Sequence, residues 1–193
     1  MKVLVIPEDF RKDQFVLKPV IAKMLAEAGK PSADVAVCLD PLMGGVVQAT
    51  NWQRIEDVVD LYPAVDLFLL IVDRDGVEGR RVALDRIERL SAEKLGADRA
   101  LLAENIWQEV EVCALAGQST LPKNWSWAEV RREPNSKEIY FDPYVRSRGL
   151  QDEAGGGRKT LGREAAQNYK RVRSRCKEDV QALENRIASG LSR

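Results

Sequence analysis

The chain has 193 residues, of which 45% are hydrophobic and 31% are charged, and its 30 basic residues balance 30 acidic ones. This composition excludes a disordered or fibrous protein and predicts a globular one, with one well-packed domain and an appendage. There is no histidine. Histidine-dependent triads, Cys/His zinc sites and a histidine general base are therefore excluded, and carboxylates and lysines must carry any acid–base or metal chemistry.

The N-terminus and the cysteines indicate the compartment. The apolar run MKVLVI ends at Pro7, which is too short for a signal-peptide core or a membrane span, so we expect a cytoplasmic protein without a membrane partner. Cys38, Cys113 and Cys176 are widely spaced in apolar surroundings. This pattern predicts reduced, buried thiols and not a disulfide or metal framework.

Strands and helices alternate through the first part of the chain. Continuous apolar runs predict strands at residues 2–6, 34–39, 66–72 and 99–103. Helical spacing of apolar residues predicts helices from Phe15 to near Gly29 and at residues 52–62, 82–90 and 106–117. Because the strands are apolar throughout and do not alternate with polar residues, we expect an α/β fold, with a parallel sheet covered by helices on both faces.

The pattern changes after Gly117. Residues 119–144 are rich in proline, tryptophan and charge, and DEAGGGRKT at 152–160 is typical of an exposed, mobile loop. Apolar residues then recur at steps of three and four from Tyr169 to Ile187, which predicts one long amphipathic helix. We therefore divide the chain into an α/β core, residues 1–118, and a mostly helical C-terminal extension, residues 119–193.

The extension carries an excess of positive charge. Residues 158–193 contain ten basic and four acidic residues. Lys170, Arg171, Arg173 and Arg175 lie between the apolar positions of the terminal helix and are candidates for binding nucleic-acid phosphates; the alternative is a solvated helix face. Binding through them would weaken steeply with salt, because neutralised phosphates release counterions. The apolar stripe could form a homo-oligomer or pack on the protein's own sheet.

Carboxylates follow two of the predicted strands. Asp73 and Asp75 come directly after LFLLIV, and Glu8 and Asp9 follow the first strand. Ligands of open parallel sheets bind at the carboxyl ends of strands, so we expect Glu8, Asp73 and Asp75 to face one pocket. Carboxylates are the hard ligands that Mg²⁺ or Mn²⁺ prefers, and a cation would neutralise the cluster. Alone, Asp-x-Asp-Gly is also a common solvated turn.

These segments resemble the Toprim fold, which has an acidic residue after its first strand and an Asp-x-Asp after a long apolar strand. That fold occurs in topoisomerases, primases, overcoming-lysogenization-defect nucleases and small stand-alone prokaryotic proteins often encoded beside phage-defence ATPases. DQFVLKPVI at the first helix, EVEVCALAG and PNSKEIY are similar to segments of the stand-alone branch, so the resemblance covers about residues 1–145. The chain departs from the family pattern of a Gly after the first glutamate and an Asp four residues on, since Asp9 follows Glu8 directly and Asp13 comes five residues after it.

The resemblance implies roles for individual residues. Glu8, Asp73 and Asp75 would be catalytic and would bind the metal, with Glu111 as a further ligand. It also implies a Toprim-like Rossmannoid sheet of about four strands, and an Mg²⁺- or Mn²⁺-dependent phosphodiester hydrolase, a nuclease of DNA or RNA that a partner ATPase controls in antiphage defence. Two alternatives stay open: a non-catalytic Toprim-like interaction or regulatory subunit, and phosphotransfer on a nucleotide or small phosphoester.

Overall fold

The computed structural model describes residues 1–41 and 43–190. Within them, the framework is a four-stranded parallel sheet with the strand order β2-β1-β3-β4. The strands are β1 (Lys2–Pro7), β2 (Asp34–Val37), β3 (Leu67–Asp73) and β4 (Ala100–Ile106). The expected α/β fold with about four parallel strands is confirmed.

Helices cover the sheet and continue to the end of the described chain. The first five are α1 (Phe10–Glu27), α2 (Val46–Ala49), α3 (Trp52–Leu61), α4 (Arg80–Leu95) and α5 (Val110–Ala116). They are followed by α6 (Trp127–Arg132), α7 (Asp142–Ser147), α8 (Arg158–Gln167), α9 (Tyr169–Arg175) and α10 (Ala182–Gly190). Two π-helical turns, Lys137–Phe141 and Lys177–Gln181, precede α7 and α10. The C-terminal part is helical, as predicted.

Each strand contributes to two apolar layers. Val5 and Leu69 pack in the layer under α1, α5 and the C-terminal helices, whereas Leu4 and Phe68 pack in the layer under α3 and α4. Because both faces of the sheet are covered, the central strands β1 and β3 are apolar and buried along nearly their whole length. The first layer contains residues from both sides of position 118, so the C-terminal extension packs directly on the α/β core. The division at residue 118 itself stays a prediction.

The topology opens a crevice between β1 and β3. The chain passes from β1 through α1 to β2 on one side of β1, and then returns to form β3 on its other side. Such a switch in strand order leaves a gap at the carboxyl ends of the two central strands, where ligands of doubly wound folds bind. Pro7 is paired with Ile71. Glu8, directly after β1, and Asp73, the last residue of β3, therefore lie at this crevice.

Two predicted features differ from the structure. The single helix expected from Tyr169 to Ile187 is interrupted at Cys176, which has φ −112° and ψ 67°. One cause is that the indole N–H of Trp127 donates to the carbonyl oxygen of Arg175 at 3.0 Å, which draws this carbonyl away from the helix.

The other difference concerns the segment 152–160, expected to be an exposed loop. It ends in the first turn of α8, and Arg158 is only 5% exposed there because its guanidinium pairs with Glu111. A smaller correction applies to Val82 of the predicted apolar stripe. Val82 is 71% exposed, since α4 buries Leu84 and Ile87 instead.

Two further findings concern the cysteines and the helices. Cys38, Cys113 and Cys176 are free and buried, as predicted. Across residues 1–41 and 43–190, none of the helices combines the length and the apolar character needed to cross a membrane.

Gly162→Ala should disrupt the packing of α8 on α1. A Cβ at Gly162 would lie 2.9 Å from the Cα of Val16 and closer still to the carbonyl oxygen of Phe15. Because backbone must move to admit it, we expect the free energy of unfolding to fall by at least about 2 kcal/mol, measured by urea denaturation. Gly190→Ala is the matched control, since its Cβ would meet nothing within 4 Å. Equal stabilities of the two variants would contradict this packing.

Candidate functional site

A small pocket opens at the crevice between the carboxyl ends of β1 and β3. Its volume is about 130 Å³, which is room for about four water molecules at ~30 Å³ each. We call it the acid pocket, because six carboxylates and three cationic side chains line it. These are Glu8, Asp9, Asp13, Asp73, Glu109 and Glu111, with Lys12, Lys137 and Arg158.

The start of α1 forms one wall of the acid pocket. Asp9 caps the helix by accepting a hydrogen bond from the Arg11 amide at 3.1 Å. Asp13, one turn later, reaches back and accepts from the Asp9 amide at 3.0 Å. This reciprocal arrangement satisfies amides that a helix N-terminus leaves without partners. It also holds the Asp13 carboxylate in the pocket beside Glu8.

The end of β3 and the start of α5 form the opposite wall. Asp73 Oδ1 accepts a hydrogen bond from the Val110 amide at 2.9 Å, which ties the strand to the helix. Glu109 Oε2 accepts from Ser136 Oγ at 2.9 Å and from the Lys137 amide at 2.6 Å. These bonds place Lys137 at the pocket rim.

Glu111 lies in the acid pocket, but a cation of the chain already contacts it. Its Oε1 accepts a hydrogen bond from Arg158 Nε at 2.9 Å and a second one from Arg158 Nη2. Arg158 Nη1 donates to the carbonyl oxygen of Gly155 at 2.8 Å. The predicted ligand Glu111 would therefore share its carboxylate between a metal ion and Arg158.

Burial and neighbouring charges raise the pKa values of Asp73, Asp13 and Glu8 in the acid pocket. Burial, followed by the charges of Glu111, Asp13, Glu8 and Asp75, raises the pKa of Asp73 well above its usual value. Burial is also the main reason that the pKa of Asp13 rises to about 7 and that the pKa of Glu8 is raised. At neutral pH the pocket must hold protons or attract a cation.

Asp75, expected to face the same pocket as Asp73, does not line the acid pocket itself, but its charge is the largest one that raises the pKa of Glu8. The amides of Arg74 and Asp75 donate to the carbonyl oxygen of Gln108 at 2.8 and 3.0 Å, and the chain turns away with Asp75 at φ 49°. Its exposed carboxylate faces Arg80 Nη2 at 3.3 Å. A metal-binding role for Asp75 stays a prediction.

The chemistry of the acid pocket suits a hard divalent cation, although its side chains do not converge fully. No three acidic or cysteine side chains within residues 1–41 and 43–190 stand close enough to hold a metal ion. Glu8 Oε2, however, is shielded from solvent and has no hydrogen-bond partner. A buried carboxylate oxygen without a partner requires an explanation. Its position beside Asp73 and Asp13 fits an oxygen-liganded cation after a small side-chain movement.

The four predicted nucleic-acid-binding residues fall into two groups. Arg173 pairs with Glu184 at 2.9 Å, and Arg175 donates to the carbonyl oxygen of Ala116 at 3.2 Å. These two arginines therefore stabilise the packing of the C-terminal helices. Lys170 and Arg171 instead line an open groove of about 440 Å³, and phosphate binding by them stays a prediction.

The groove with Lys170 and Arg171 lies away from the acid pocket. Lys23 of α1 lines the groove, whereas Asp13, ten residues earlier on the same helix, lines the pocket. Ten residues of α-helix rise about 15 Å. A nucleic acid would have to span this distance to contact both sites.

Asp13, Glu109 and Arg158 are among the acid-pocket residues that the sequence did not predict as site residues. Asp13 was noted only for its spacing from Glu8, although an Asp in the first turn of a helix is a recognisable capping signal. Glu109 has no sequence signal that separates it from a surface acid. Arg158 follows a glycine run and carries no motif that points to Glu111, 47 residues earlier in the chain.

Comparison of the chain with protein-family models, with curated proteins and with solved structures found no match. The resemblance to the Toprim fold therefore stays an expectation from the sequence.

The free energy of unfolding should decrease as the pH rises, because Asp13 loses a proton that the folded state favours. The pKa of the Asp13 carboxyl is about 7 in the folded protein, whereas a solvated aspartate has a pKa of 3.8. Between these two pH values the folded state therefore retains a proton that the unfolded state releases. The stability linked to this proton is complete below about pH 4 and is lost as the pH rises to about 7. Between about pH 5 and pH 8 we expect a loss of up to about 3 kcal/mol from this group.

Urea denaturation of the wild type and of Asp13→Asn at these two pH values tests this expectation. The asparagine retains an oxygen that accepts from the Asp9 amide, but it has no charge, so its stability should fall less with pH. Asp57→Asn, an exposed change on α3, is the control and should behave as the wild type. A pH dependence equal in all three proteins would show that Asp13 does not titrate in this range.

Proposed function

We propose that the protein is a divalent-cation-dependent phosphodiester hydrolase that acts on DNA or RNA, with the acid pocket as its centre. One observation carries this proposal. Glu8 and Asp73 follow adjacent parallel strands at the crevice where the strand order switches, and both have raised pKa values. Carboxylates that are forced together at a ligand-binding position are typical of metal-dependent hydrolysis.

Glu8 and Asp73 would hold Mg²⁺ or Mn²⁺, with Asp75 reaching in from the loop after β3. The cation would polarise a phosphate oxygen and lower the pKa of a bound water. Its charge would also relieve the repulsion that Glu8 and Asp13 exert on Asp73. This relief supports the assignment independently of the resemblance. Glu111 would join these ligands only where Arg158 releases it.

Asp13 has the properties of a general base in this pocket. Its pKa is about 7 without a metal ion, and a bound cation would lower this pKa, so that Asp13 would be deprotonated and able to accept a proton near neutral pH. Its Oδ2 accepts from the Asp9 amide, so its Oδ1 would take the proton of the attacking water. Lys12 and Lys137 at the rim would orient the non-bridging oxygens of the phosphate.

Nucleic acid is the proposed substrate because the positively charged groups extend beyond the pocket. A volume of about 130 Å³ admits a phosphate group but not a nucleoside, so the flanking nucleotides would lie on the surface. Lys170 and Arg171 would contact a longer strand there. Control by a partner ATPase in antiphage defence enters the proposal through the Toprim resemblance, since unrestrained cleavage of nucleic acid is toxic.

A non-catalytic interaction or regulatory subunit is the second candidate. The ion pair between Glu111 and Arg158 favours it, because it already neutralises part of the acid pocket without a metal ion. Phosphotransfer on a small phosphoester is the third candidate, favoured by the small volume of the pocket. Cleavage assays and cation titration distinguish both alternatives from the nuclease.

Asp73→Asn should abolish metal-dependent cleavage. The amide oxygen can still accept from the Val110 amide, so the fold should persist, but the negative charge that would bind the cation is lost. We expect cleavage of labelled single- and double-stranded DNA and RNA, with Mg²⁺ or Mn²⁺, to fall by at least about 100-fold. Asp57→Asn, with the same change at an exposed position, should cleave as the wild type does.

The substrate panel distinguishes the three candidates. Turnover of p-nitrophenyl phosphate without cleavage of any polynucleotide would favour the small phosphoester. Absence of all cleavage, with and without an ATPase encoded beside the gene, would favour the interaction subunit if isothermal titration also detects no cation binding.

Cation binding should become stronger as the pH rises, because protons compete with the cation for the same carboxylates. Mg²⁺ and Mn²⁺ require deprotonated carboxylates, so either ion should raise the melting temperature more at about pH 8 than at about pH 5. Glu8→Gln should lose most of this increase, because it removes the unpartnered oxygen from the donor set. An equal increase in the variant and the wild type would place the cation elsewhere.

A further inference from the structure

A second depression lies next to the acid pocket, at the start of α4. Its volume is about 440 Å³, and it is bounded by the loop 74–79 after β3 and by the carboxyl end of β4. Arg74, Arg80, Arg81 and Trp107 are among its lining residues. We call it the arginine pocket.

The N-terminus of α4 lies at the arginine pocket, where Gly79, Arg80 and Arg81 form part of the lining. The helix has 16 residues and begins at Arg80, after Gly79 at φ 82°, and no side chain caps it. The first amides of a helix have no partner within the helix, and the helix dipole adds a partial positive charge there. A helix start of this kind favours an anion.

Arg80 supplies an independent indication that a ligand binds here. Its side chain is only 8% exposed, and its Nη1 is shielded from solvent without a hydrogen-bond partner. Its Nη2 faces Asp75 at 3.3 Å, which is longer than the 2.7–2.9 Å typical of a charge-assisted bond. This guanidinium is removed from water, and its donors are only partly paired. Such a group requires a further acceptor.

Arg74 is held in place without using its hydrogen-bond donors. Its guanidinium lies 3.6 Å from the centre of the Trp107 ring. Stacking on an aromatic face leaves the N–H groups in the plane of the guanidinium available. Arg131 lies 5.8 Å from the same ring, and its own ion pair with Asp179 fixes that side of the pocket.

The acidic residues at the arginine pocket are largely neutralised by other arginines. Glu104 contacts Arg81 at 3.5 Å and Arg186 at 3.2 Å. Glu178 contacts Arg131 at 2.9 Å. Glu78 is exposed at the edge of the pocket. The charge of Arg74 therefore remains to attract an anion, together with the part of the Arg80 charge that its long contact with Asp75 leaves uncompensated.

We infer that the arginine pocket binds a phosphate group through Arg74, Arg80 and the first amides of α4. A phosphate is favoured over a carboxylate because its tetrahedral oxygens can accept from donors that approach from several directions. The group could belong to a nucleic-acid backbone or to a small phosphorylated ligand. This inference goes beyond the proposed hydrolase and uses none of the residues that line the acid pocket.

Isothermal titration with inorganic phosphate, without divalent cations, tests the inference. Arg80→Gln and Arg74→Gln should each weaken phosphate binding at least about tenfold. Arg89→Gln is the matched control, because Arg89 is on the same helix and its side chain is 67% exposed; its affinity should equal that of the wild type. Asp75→Asn should bind phosphate more tightly, since it frees Arg80, and asparagine tolerates the φ of 49° at this position.

A second titration, with a short oligothymidylate, distinguishes the two sources of phosphate. The oligonucleotide should bind more tightly than inorganic phosphate if the pocket contacts a nucleic-acid strand. In that case the salt dependence of its binding should also be weaker in Arg80→Gln than in the wild type. Oligonucleotide binding no tighter than that of phosphate would assign it to a small ligand.

Two results would overturn the inference. One is the absence of phosphate binding by the wild type at millimolar concentration. The other is an equal affinity in Arg80→Gln, Arg74→Gln and Arg89→Gln, with the folding of each variant verified by circular dichroism. Asp73→Asn, which would inactivate the proposed hydrolase, should bind phosphate as the wild type does, so failure of one proposal leaves the other testable.

Discussion

Repulsion between carboxylates at the carboxyl ends of β1 and β3 is the constraint on which the rest of the molecule depends. The parallel sheet brings Glu8 and Asp73 to one crevice, and α1 and α5 add Asp13 and Glu111. Groups that repel one another in a poorly solvated space must be protonated, paired or bound to a cation. The chain meets part of this requirement with Arg158, which crosses from the C-terminal helices to contact Glu111. The extension is therefore part of the electrostatics of the crevice as well as of its packing.

The acid pocket and the arginine pocket share one loop, residues 74–79. On one side of this loop Asp73 ends β3 in the acid pocket, and on the other side Arg74 and Arg80 line the arginine pocket. The charge of Arg80 also partly offsets the increase in the pKa of Glu8, so the two pockets are electrostatically coupled. Opposite charges at neighbouring sites suit a ligand with a phosphate next to a bound cation. They also allow the empty protein to balance its own charges through the contact between Asp75 and Arg80.

Much of the fold could be predicted, because strands that are buried on both faces leave a continuous apolar run in the sequence. The positions of Glu8 and Asp73 followed from the rule that parallel strands end at the same edge. The position of Asp75 could not be predicted in this way, because it depends on hydrogen bonds from the loop to the carbonyl oxygen of Gln108. The interruption of the terminal helix depends on the distant Trp127. Contacts of this kind follow from tertiary packing and have no periodic signal in the sequence.

Close packing of α8 limits how the acid pocket can change. Any side chain larger than hydrogen at Gly117 or Gly162 would collide with the neighbouring helix, so α8 is clamped against α5 and α1 and serves as a rigid support for Arg158. Withdrawing Arg158 from Glu111 by sliding the helix would break these contacts along its whole length. The three glycines before α8, Gly155, Gly156 and Gly157, all have positive φ, and a Cβ at Gly155 would collide with the ring of Phe15. The backbone on both sides of Arg158 is therefore held in place, and Glu111 can exchange this partner for another cation only through rotation of the Arg158 side chain.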